Sequence, residues 1–525
     1  MSRFKNLSSG KLWSVVGAVL YFLCFPPFNL YFVSIFVMPA FLFSIESMRS
    51  KRDVIKLSMM ASALIAIGGF HWIINAAQSI LHLQLWASVC VFALFSLFAA
   101  PQVYLFFGLG SRYFQKIRAL PVLLQLFFWP TLYVSIEFLS RELKIFPEQL
   151  GATLVNNLQL AQAASLGGAS LLSFLPLMIG TSIYLLHRNG KRALSTLALS
   201  LIFVSGFYFW GSAELDRLKN QTGKLLRVGL IQHGPRRELV PALLRGSDPE
   251  ALDLLIRQYL ELSKLAKKVD LLVWPETAYP MTFPARASVE GNRQNYYANL
   301  LFEFTRNSKT ALLFGAYELQ SKQQFNSGIL IDAEGGAAGS YRKNLLLIFG
   351  ERMPFLDWFP SLNFFLNEFG AFTPGEGPHP LRWNKNFDPV LLGINICYED
   401  IMPQYMRLLA ANGAEIFVNL SNDDWSRSSI EQRQHLQLAI LTAIENRRPL
   451  VRATKTGVSA FVTPYGEILA QVTLNQPGVL VRDVIRSNET SLYLKVGELF
   501  SWAAIALTVS LLVFFHTPWG GASKQ

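Results

Sequence analysis

The sequence predicts a polytopic α-helical membrane bundle of about eight transmembrane helices that carries an α/β domain as a late insert. Three observations lead there. Of 525 residues, 51% are hydrophobic and only 16% charged, and the mean hydropathy is +0.30, too apolar for a soluble chain of this length. Apolar stretches near ~20 residues, the length that crosses a bilayer, recur through the first part of the chain and once more near its end. Between them, residues 226–486 alternate short Val/Ile/Leu runs with helical patterns and Gly/Asn/Pro turns, as a layered α/β domain does.

The apolar segments lie near 11–27, 29–46, 55–76, 85–109, 119–140, 163–186 and 194–211, then near 495–515. Helices 1–7 are expected within residues 1–215, the α/β domain at 226–486 and helix 8 at 495–515. Basic residues gather in alternate loops, at Arg3, Lys5 and Lys11, at Arg49, Lys51, Arg52 and Lys56, at Arg112, Lys116 and Arg118, and at Arg188, Lys191 and Arg192. That side is cytoplasmic by the positive-inside rule, and an odd number of crossings carries the insert to the outer side. The net charge of +12 thus marks topology, not a nucleic-acid footprint. No small-residue cleavage site precedes Cys24-Phe25-Pro26-Pro27-Phe28, so the first segment is expected to remain as a helix. Glu137 near the outer end of the fifth helix and Arg141 one turn later read as an interfacial i, i+4 pair.

Within the insert, strands are expected at 227–231, 271–273, 311–317, 328–331, 390–396 and 416–420, with a hairpin of 458–463 and 468–472 across Pro464-Tyr465-Gly466-Glu467. Ser428 or Ser429 can cap a helix running to about Glu445.

Cys397 is the one cysteine of the insert; Cys24 and Cys90 fall in the apolar segments, so no disulfide forms within the insert. It ends an apolar run, LLGINICYED, where a strand is expected to turn into a helix, a placement that suits a nucleophile. A thiol of ordinary pKa ~8.5 is only a few per cent ionised at neutral pH and needs a base. Glu276 closes another apolar run in Trp274-Pro275-Glu276 and, partly desolvated, can take the proton. Lys343, in Tyr341-Arg342-Lys343, can hold the charge that develops on a carbonyl oxygen under attack. Glu351, in Phe349-Gly350-Glu351, can orient the lysine or relay a proton. Each has a plainer reading: a buried small hydrophobe for Cys397, a turn cap for Glu276, a solvated amine for Lys343 and a surface salt bridge for Glu351. A cysteine–histidine dyad is the competing scheme, but His233, His379 and His435 sit in no catalytic context and show no metal-ligand spacing with Cys397.

Taken together and in this order, the three residues resemble the Glu-Lys-Cys site of the nitrilase superfamily. With the helices around the insert, essentially the whole chain is similar to the bacterial apolipoprotein N-acyltransferase family. The resemblance implies a nitrilase-like α-β-β-α sandwich. Residue by residue it makes Glu276 of WPET the general base, Lys343 of YRKN the oxyanion lysine and Cys397 of CYED the nucleophile. Glu351 of FGE, Tyr398 and Glu399 are then supporting residues. Ser421-Asn422-Asp423 with Trp425, Gln434-His435 and Arg448 to Thr454 match as well, and Trp425 is expected at the substrate. The chain departs from the family at Lys455, where Asn is usual, and at Ser426-Arg427, where an aromatic-glycine pair is usual.

The activity so implied is a two-step exchange. The thiol takes an acyl chain from a membrane phospholipid, typically phosphatidylethanolamine, and passes it from the thioester to the amino-terminal amine of a diacylglyceryl-cysteine apolipoprotein. The setting is the bacterial inner membrane, with the domain facing the periplasm. The acyl group rides on sulfur, so no cofactor and no metal is expected; nor is a nucleic-acid partner, and the chain is expected to be a monomer. Lifting a long acyl chain from the bilayer at ~0.8 kcal/mol per methylene costs on the order of 10 kcal/mol, so the site must come to the lipid. Aromatics crowd 353–372, among them Trp358 and Phe359, and this segment is expected to be a lid or interfacial element that admits acyl chains. The alternatives carried forward are a membrane-tethered amidase or lipid hydrolase with water as acceptor, and a non-catalytic lipoprotein-binding scaffold.

Overall fold

The computed structural model describes residues 2–141, 147–234, 249–284, 293–348, 350–352, 372–385 and 387–517. The chain forms two compact units, one of Met1–Asn75, Leu83–Asn220 and Ser491–Gln525, the other of Ala76–His82 and Gln221–Thr490.

The first unit is helical: α1 Ser2–Leu23, α2 Val37–Ser47, α3 Lys51–Gly69, α4 Ile73–Ile80, α5 Leu85–Phe98, α6 Pro101–Arg118, α7 Val122–Ser140, α8 Leu158–Ala161, α9 Ala164–Asn189 and α10 Leu194–Lys219, then α15 Leu492–Val496 and α16 Leu499–Phe514 near the end of the chain. Local chemistry sets several boundaries. Ser50 accepts from the Asp53 N–H at 3.2 Å while the Asp53 carboxylate accepts from the Ser50 N–H at 3.0 Å, a capping box that opens α3. Pro101 stands at the start of α6, where its missing N–H costs nothing.

Three described helical stretches are long and apolar enough to cross a membrane: Leu85–Arg118, Val122–Ser140 and Ala164–Lys219. The pair Lys51–Gly69 and Ile73–Ile80, bent by 70°, makes up to four. Eight separate spans were expected, and the difference has local causes. The first, second and last apolar segments form shorter helices, Gly10–Leu23, Tyr31–Ser47 and Leu499–Phe514, and the second opens with a 3-10 turn, Tyr31–Phe36. The third ends at Gly69 before the chain bends, and α9 and α10 run together across Gly190–Ala193 as one apolar stretch.

The buried ionisable groups Glu137, Arg141 and Glu498 inside this unit are paired, as an apolar surround requires. Glu137 and Arg141 have separate partners. The Glu137 carboxylate accepts from the Leu150 N–H at 2.8 Å and from Ser173 Oγ at 2.6 Å, which caps the 3-10 turn Leu150–Asn156. Arg141 pairs with Glu498 at 2.7 Å, and Glu498 also accepts from Tyr493 at 3.0 Å and Ser501 at 2.9 Å.

The second unit is a sandwich of two six-stranded sheets, ordered β12-β1-β2-β3-β4-β5 and β11-β10-β9-β8-β7-β6. The first comprises β1 Leu225–Gln232, β2 Leu271–Val273, β3 Ala311–Gln320, β4 Gln323–Ile331, β5 Ala337–Arg342 and β12 Gly478–Ile485. The second comprises β6 Leu381–Lys385, β7 Asp388–Ile396, β8 Ile416–Ser421, β9 Leu450–Thr454, β10 Ala460–Val462 and β11 Ile468–Gln471. Strands β1, β2 and β3 run parallel, as do β7, β8 and β9. Parallel strands buried on both faces read as near-continuous apolar runs, which is why β1, β2, β3, β7 and β8 were legible in the sequence; β9, LVRAT, is short and interrupted by Arg452 and was not expected. The inner faces meet in a core that joins Val228, Leu230, Val273 and Leu313 to Ile394, Ile396, Val418 and Leu420. On the other face of the first sheet, Leu272, Trp274 and Phe314 pack with Ile256 and Tyr259 of α11 (Pro249–Leu265) and Leu301 of α12 (Arg293–Ser308). Two more helices, α13 Pro403–Ala411 and α14 Ser429–Asn446, belong to the second half of the unit, and the Ser428 side chain caps α14 by accepting from the Ile430 N–H at 3.3 Å.

Candidate active site

Both halves of the site hang from the carboxyl ends of parallel strands, where open α/β sheets place their ligands. At the end of β2 the chain turns sharply through Pro275, Glu276 and Thr277, and Thr277 takes a φ of 52°. Gly315 on β3 makes room for that turn: a Cβ there would lie 2.5 Å from Glu276 Cα and 2.5 Å from the Thr277 nitrogen. At the end of β7, Cys397 opens the turn Cys397–Ile401 with a φ of 56°, a left-handed backbone that costs a non-glycine residue ~1–2 kcal/mol.

That strained turn is held from three sides. Asn419 Nδ2 donates to the Cys397 carbonyl at 2.9 Å and to Asn395 Oδ1 at 2.8 Å. Glu399, fully buried, accepts from the Ile396 N–H at 2.7 Å and, across the site, from the N–H groups of Asn344 at 2.7 Å and Leu345 at 3.0 Å and from Tyr341 Oη at 2.8 Å. It therefore ties the nucleophile's turn to the lysine's loop. Beneath, Asp400 receives hydrogen bonds from Arg452 and from His435 Nε2, while Thr442 Oγ1 donates to its carbonyl at 2.8 Å. Arg452 also reaches Asn419 Oδ1 at 2.8 Å and Asp423 Oδ2 at 3.1 Å.

Lys343, 2% exposed, follows β5. Its Nζ lies 3.4 Å from Glu276 Oε1 and 2.9 Å from Glu351 Oε2. Asn326 of β4 bridges the same two carboxylates, its Nδ2 donating to Glu276 Oε1 at 2.7 Å and to Glu351 Oε1 at 2.8 Å. The Asn422 N–H donates to Glu276 Oε2 at 2.9 Å, and the Leu347 N–H to Glu351 Oε2 at 2.8 Å. Tyr398 completes the surround, its ring 5.5 Å from Lys343 Nζ.

The electrostatics follow from this geometry. Burial pushes Glu276 above the usual carboxylate range, Lys343 pulls it back and Glu351 pushes it up further. Lys343 is held well above its ordinary value: burial works against the charge, but the two carboxylates outweigh it. The thiol of Cys397 is pushed well up by burial and then by Glu276, with Lys343 opposing. Both influences favour the protonated thiol over a standing thiolate. Glu399 is raised to about 7 by burial, against the pull of its backbone donors.

Of the residues singled out in the sequence, Glu276, Lys343 and Glu351 meet directly, Tyr398 stacks over the ammonium, and Glu399 braces Cys397 from behind. Trp425 is half-buried on the turn Asp423–Trp425, which begins next to Asn422. Trp358 and Phe359 lie outside the described residues. Asn326 and Asn419 were not singled out, and Asp400, Asp423, His435 and Arg452, which lie in segments matched to the family, were given no role; that they form one buried network was not foreseen. Their signal was present: Asn326-Ser327, Asn419 and Arg452 are polar interruptions of otherwise apolar strands, and buried polar groups are retained when they are hydrogen-bonded. Asp423, Glu431 and His435 bring ligand-capable atoms within 4.8 Å of one another. A cation there would meet the Arg452 guanidinium, which already sits on Asp423 and Asp400.

A carboxylate, an ammonium and a thiol gathered at strand ends of a four-layer sandwich define a carbon–nitrogen hydrolase domain, and residues 227–492 match the carbon-nitrogen hydrolase family model. Residues 17–182 match the apolipoprotein N-acyltransferase N-terminal domain model. An apolipoprotein N-acyltransferase of Bdellovibrio bacteriovorus is 28% identical over 97% of this chain and 94% of its own. Another of Pseudomonas aeruginosa is 31% identical over 67% of this chain and 66% of its own. Among solved structures, an amidase from Nesterenkonia sp. aligns at 25% identity over 53% of this chain and 94% of that one, with a TM-score of 0.37. The chain belongs to the apolipoprotein N-acyltransferase family, within the carbon–nitrogen hydrolases.

Proposed function

We propose that this chain moves a fatty acyl group from a membrane phospholipid, phosphatidylethanolamine being the expected donor, through Cys397 to the amino-terminal amine of a diacylglyceryl-cysteine apolipoprotein. The observation that carries the reading is the buried Glu276–Asn326–Glu351–Lys343 cluster bordering the Cys397 turn, in a chain whose other unit is built of apolar helices.

In the first step Cys397 Sγ attacks the donor's ester carbonyl while Glu276 takes the thiol proton. Lys343, held charged by two carboxylates, faces the developing oxyanion. The C–O bond breaks, the leaving alkoxide takes the proton from Glu276, and lysophospholipid departs, leaving a thioester. In the second step the acceptor amine attacks the thioester carbonyl, Glu276 accepts its proton, and the sulfur leaves and is reprotonated. Burial of Glu276 favours both halves, because a carboxyl raised toward neutrality can take and return a proton.

The finer membrane reading belongs here too. Helix α10, of 26 residues, reaches about 39 Å at ~1.5 Å per residue, and α9, broken at Gly167-Gly168, reaches about 31 Å over Ala169–Asn189, so each is long enough to cross alone. With α7, α5–α6, the bent pair and the three shorter apolar helices this supports eight crossings, an inner-membrane location and a periplasmic domain at 226–486. The test is to incubate the full chain with phosphatidylethanolamine and follow intact mass. An acyl adduct that Cys397→Ala abolishes, and that an amine acceptor discharges, is expected. Absence of the adduct would overturn the reading in favour of a scaffold, and discharge at the same rate without amine would make the protein a lipid hydrolase.

A further inference from the structure

The helical unit holds a second polar site. Where α6 and α9 end and α7 begins, Phe114, Arg118, Gln125, Trp129, Tyr184 and Arg188 line a small open pocket, with Leu185 and Asn189. Its charge is unbalanced. Arg118 and Arg188 share one carboxylate, Glu46 of α2: Arg188 is hydrogen-bonded to it, while Arg118 stands 3.9 Å away with its side chain 61% exposed. Tyr184 also donates to Glu46, at 3.4 Å. Two guanidiniums against one carboxylate leave one positive charge uncompensated.

The neutral groups point to a ligand as well. Trp129, a lining residue of the pocket, is 1% exposed, and its buried indole N–H has no hydrogen-bond partner among the described residues. A buried donor left unmade costs free energy unless something accepts from it. The carbonyls that end α6 are already satisfied, since Gln125 Nε2 donates to Arg118 O at 3.2 Å and to Leu120 O at 2.8 Å. The positive end of α7 opens beside them. On the first turns of α7, Leu123 and Leu124 are exposed, at 48% and 51%, which offers an apolar surface next to a polar pocket.

We propose that this pocket binds the phosphate of a singly charged phosphodiester, the headgroup of an anionic phospholipid in the leaflet on the side of the basic loops. One phosphodiester charge matches the excess, Arg118 and Trp129 supply the donors, and a basic pocket between helices on that side is a known physical device for anionic headgroups. The site is separate from the proposed catalysis and rests on the membrane-spanning reading of the helices.

The test uses the full chain, delipidated in detergent and titrated with phosphatidylglycerol, phosphatidylcholine or inorganic phosphate, with bound species counted by native mass spectrometry. Phosphatidylglycerol is expected to bind in preference to phosphatidylcholine, and Arg118→Gln to weaken it about tenfold, the weight of one charge-assisted contact. Trp129→Phe should weaken it less. Arg118 is at the surface, so an unchanged melting temperature in lipid-free detergent shows that the variant folds. Displacement by inorganic phosphate would identify the phosphate as the recognised group from any source; lack of displacement would assign the site to lipid. Equal binding of the two lipids, or unchanged phosphatidylglycerol binding in Arg118→Gln, would overturn the proposal.

Discussion

Asn326→Ala separates a hydrogen-bonded catalytic cluster from an incidental meeting of charges. One amide nitrogen donates to Glu276 at 2.7 Å and to Glu351 at 2.8 Å. A hydrogen bond to an ionised acceptor contributes ~1.5–3 kcal/mol, so removing both withdraws about 3–6 kcal/mol from the charged pair. If half of that reaches the transition state, acylation slows roughly a hundredfold. The sign of the pH effect is fixed as well. Glu276 is raised by burial and lowered by Asn326 and Lys343, so losing Asn326 lets the carboxyl keep its proton to higher pH. The acid limb of the rate of thioester formation therefore moves up in pH, and raising the pH recovers part of the rate. The assay is the initial rate of acyl adduct on Cys397, from intact mass between pH 5 and 9, beside a melting temperature that reports folding. A variant that folds, acylates within threefold of the parent and keeps its acid limb in place would refute the reasoning.

Other consequences are independent of that one. Glu399 has a folded value of about 7 against an ordinary 4.5, so its contribution is fully present below pH 4.5 and is lost as pH rises through 7. It amounts to about 3 kcal/mol at ~1.36 kcal/mol per unit, and Glu399→Gln should flatten the pH dependence of unfolding across that window; an unchanged slope counts against the buried carboxyl. Gly315→Ala puts a Cβ 2.5 Å from the Glu276 backbone, and should destabilise the domain by about 1–3 kcal/mol and abolish the adduct; wild-type acylation would show that the turn can move. Glu498→Gln removes the buried carboxylate 2.7 Å from the Arg141 guanidinium, and a lower melting temperature in detergent is expected; an unchanged one would show that this pair does not hold the two segments.

The parts legible in the sequence were those where one strand or one helix face decides. Val228 to Ile231, Leu271 to Val273 and Ile416 to Leu420 are buried on both faces of parallel sheets, and a continuous apolar run is what such burial demands. Glu276 and Cys397 were found for the same reason, each being the first polar or nucleophilic group past such a run. Strands at the sheet margins were not: β5, AAGSYR, and β12, GVLVRDVI, are largely half-exposed or exposed and carry no clean period. Only three or four of the eight expected spans stand out as long apolar helices, because apolar length in sequence does not see a 3-10 turn at Tyr31–Phe36 or the 70° bend after Gly69.

The roles of Asn326, Asn419 and Arg452 could not be read from the sequence for a deeper reason. A single polar residue in an apolar strand can be a solvent-facing alternation or a buried ligand of another group, and only the partner decides. For Asn419 the partner is the Cys397 carbonyl, 22 residues earlier in the chain; for Arg452 it is Asp400, 52 residues earlier. The left-handed φ of Cys397 completes the argument, because a strained nucleophile persists only where its surroundings over-determine it. Three such restraints converge on this turn, from Asn419, Glu399 and the Asp400 network. The candidate trio Glu276, Lys343 and Cys397 could be read from local context, whereas the shell that holds it in place is a property of the closed sandwich.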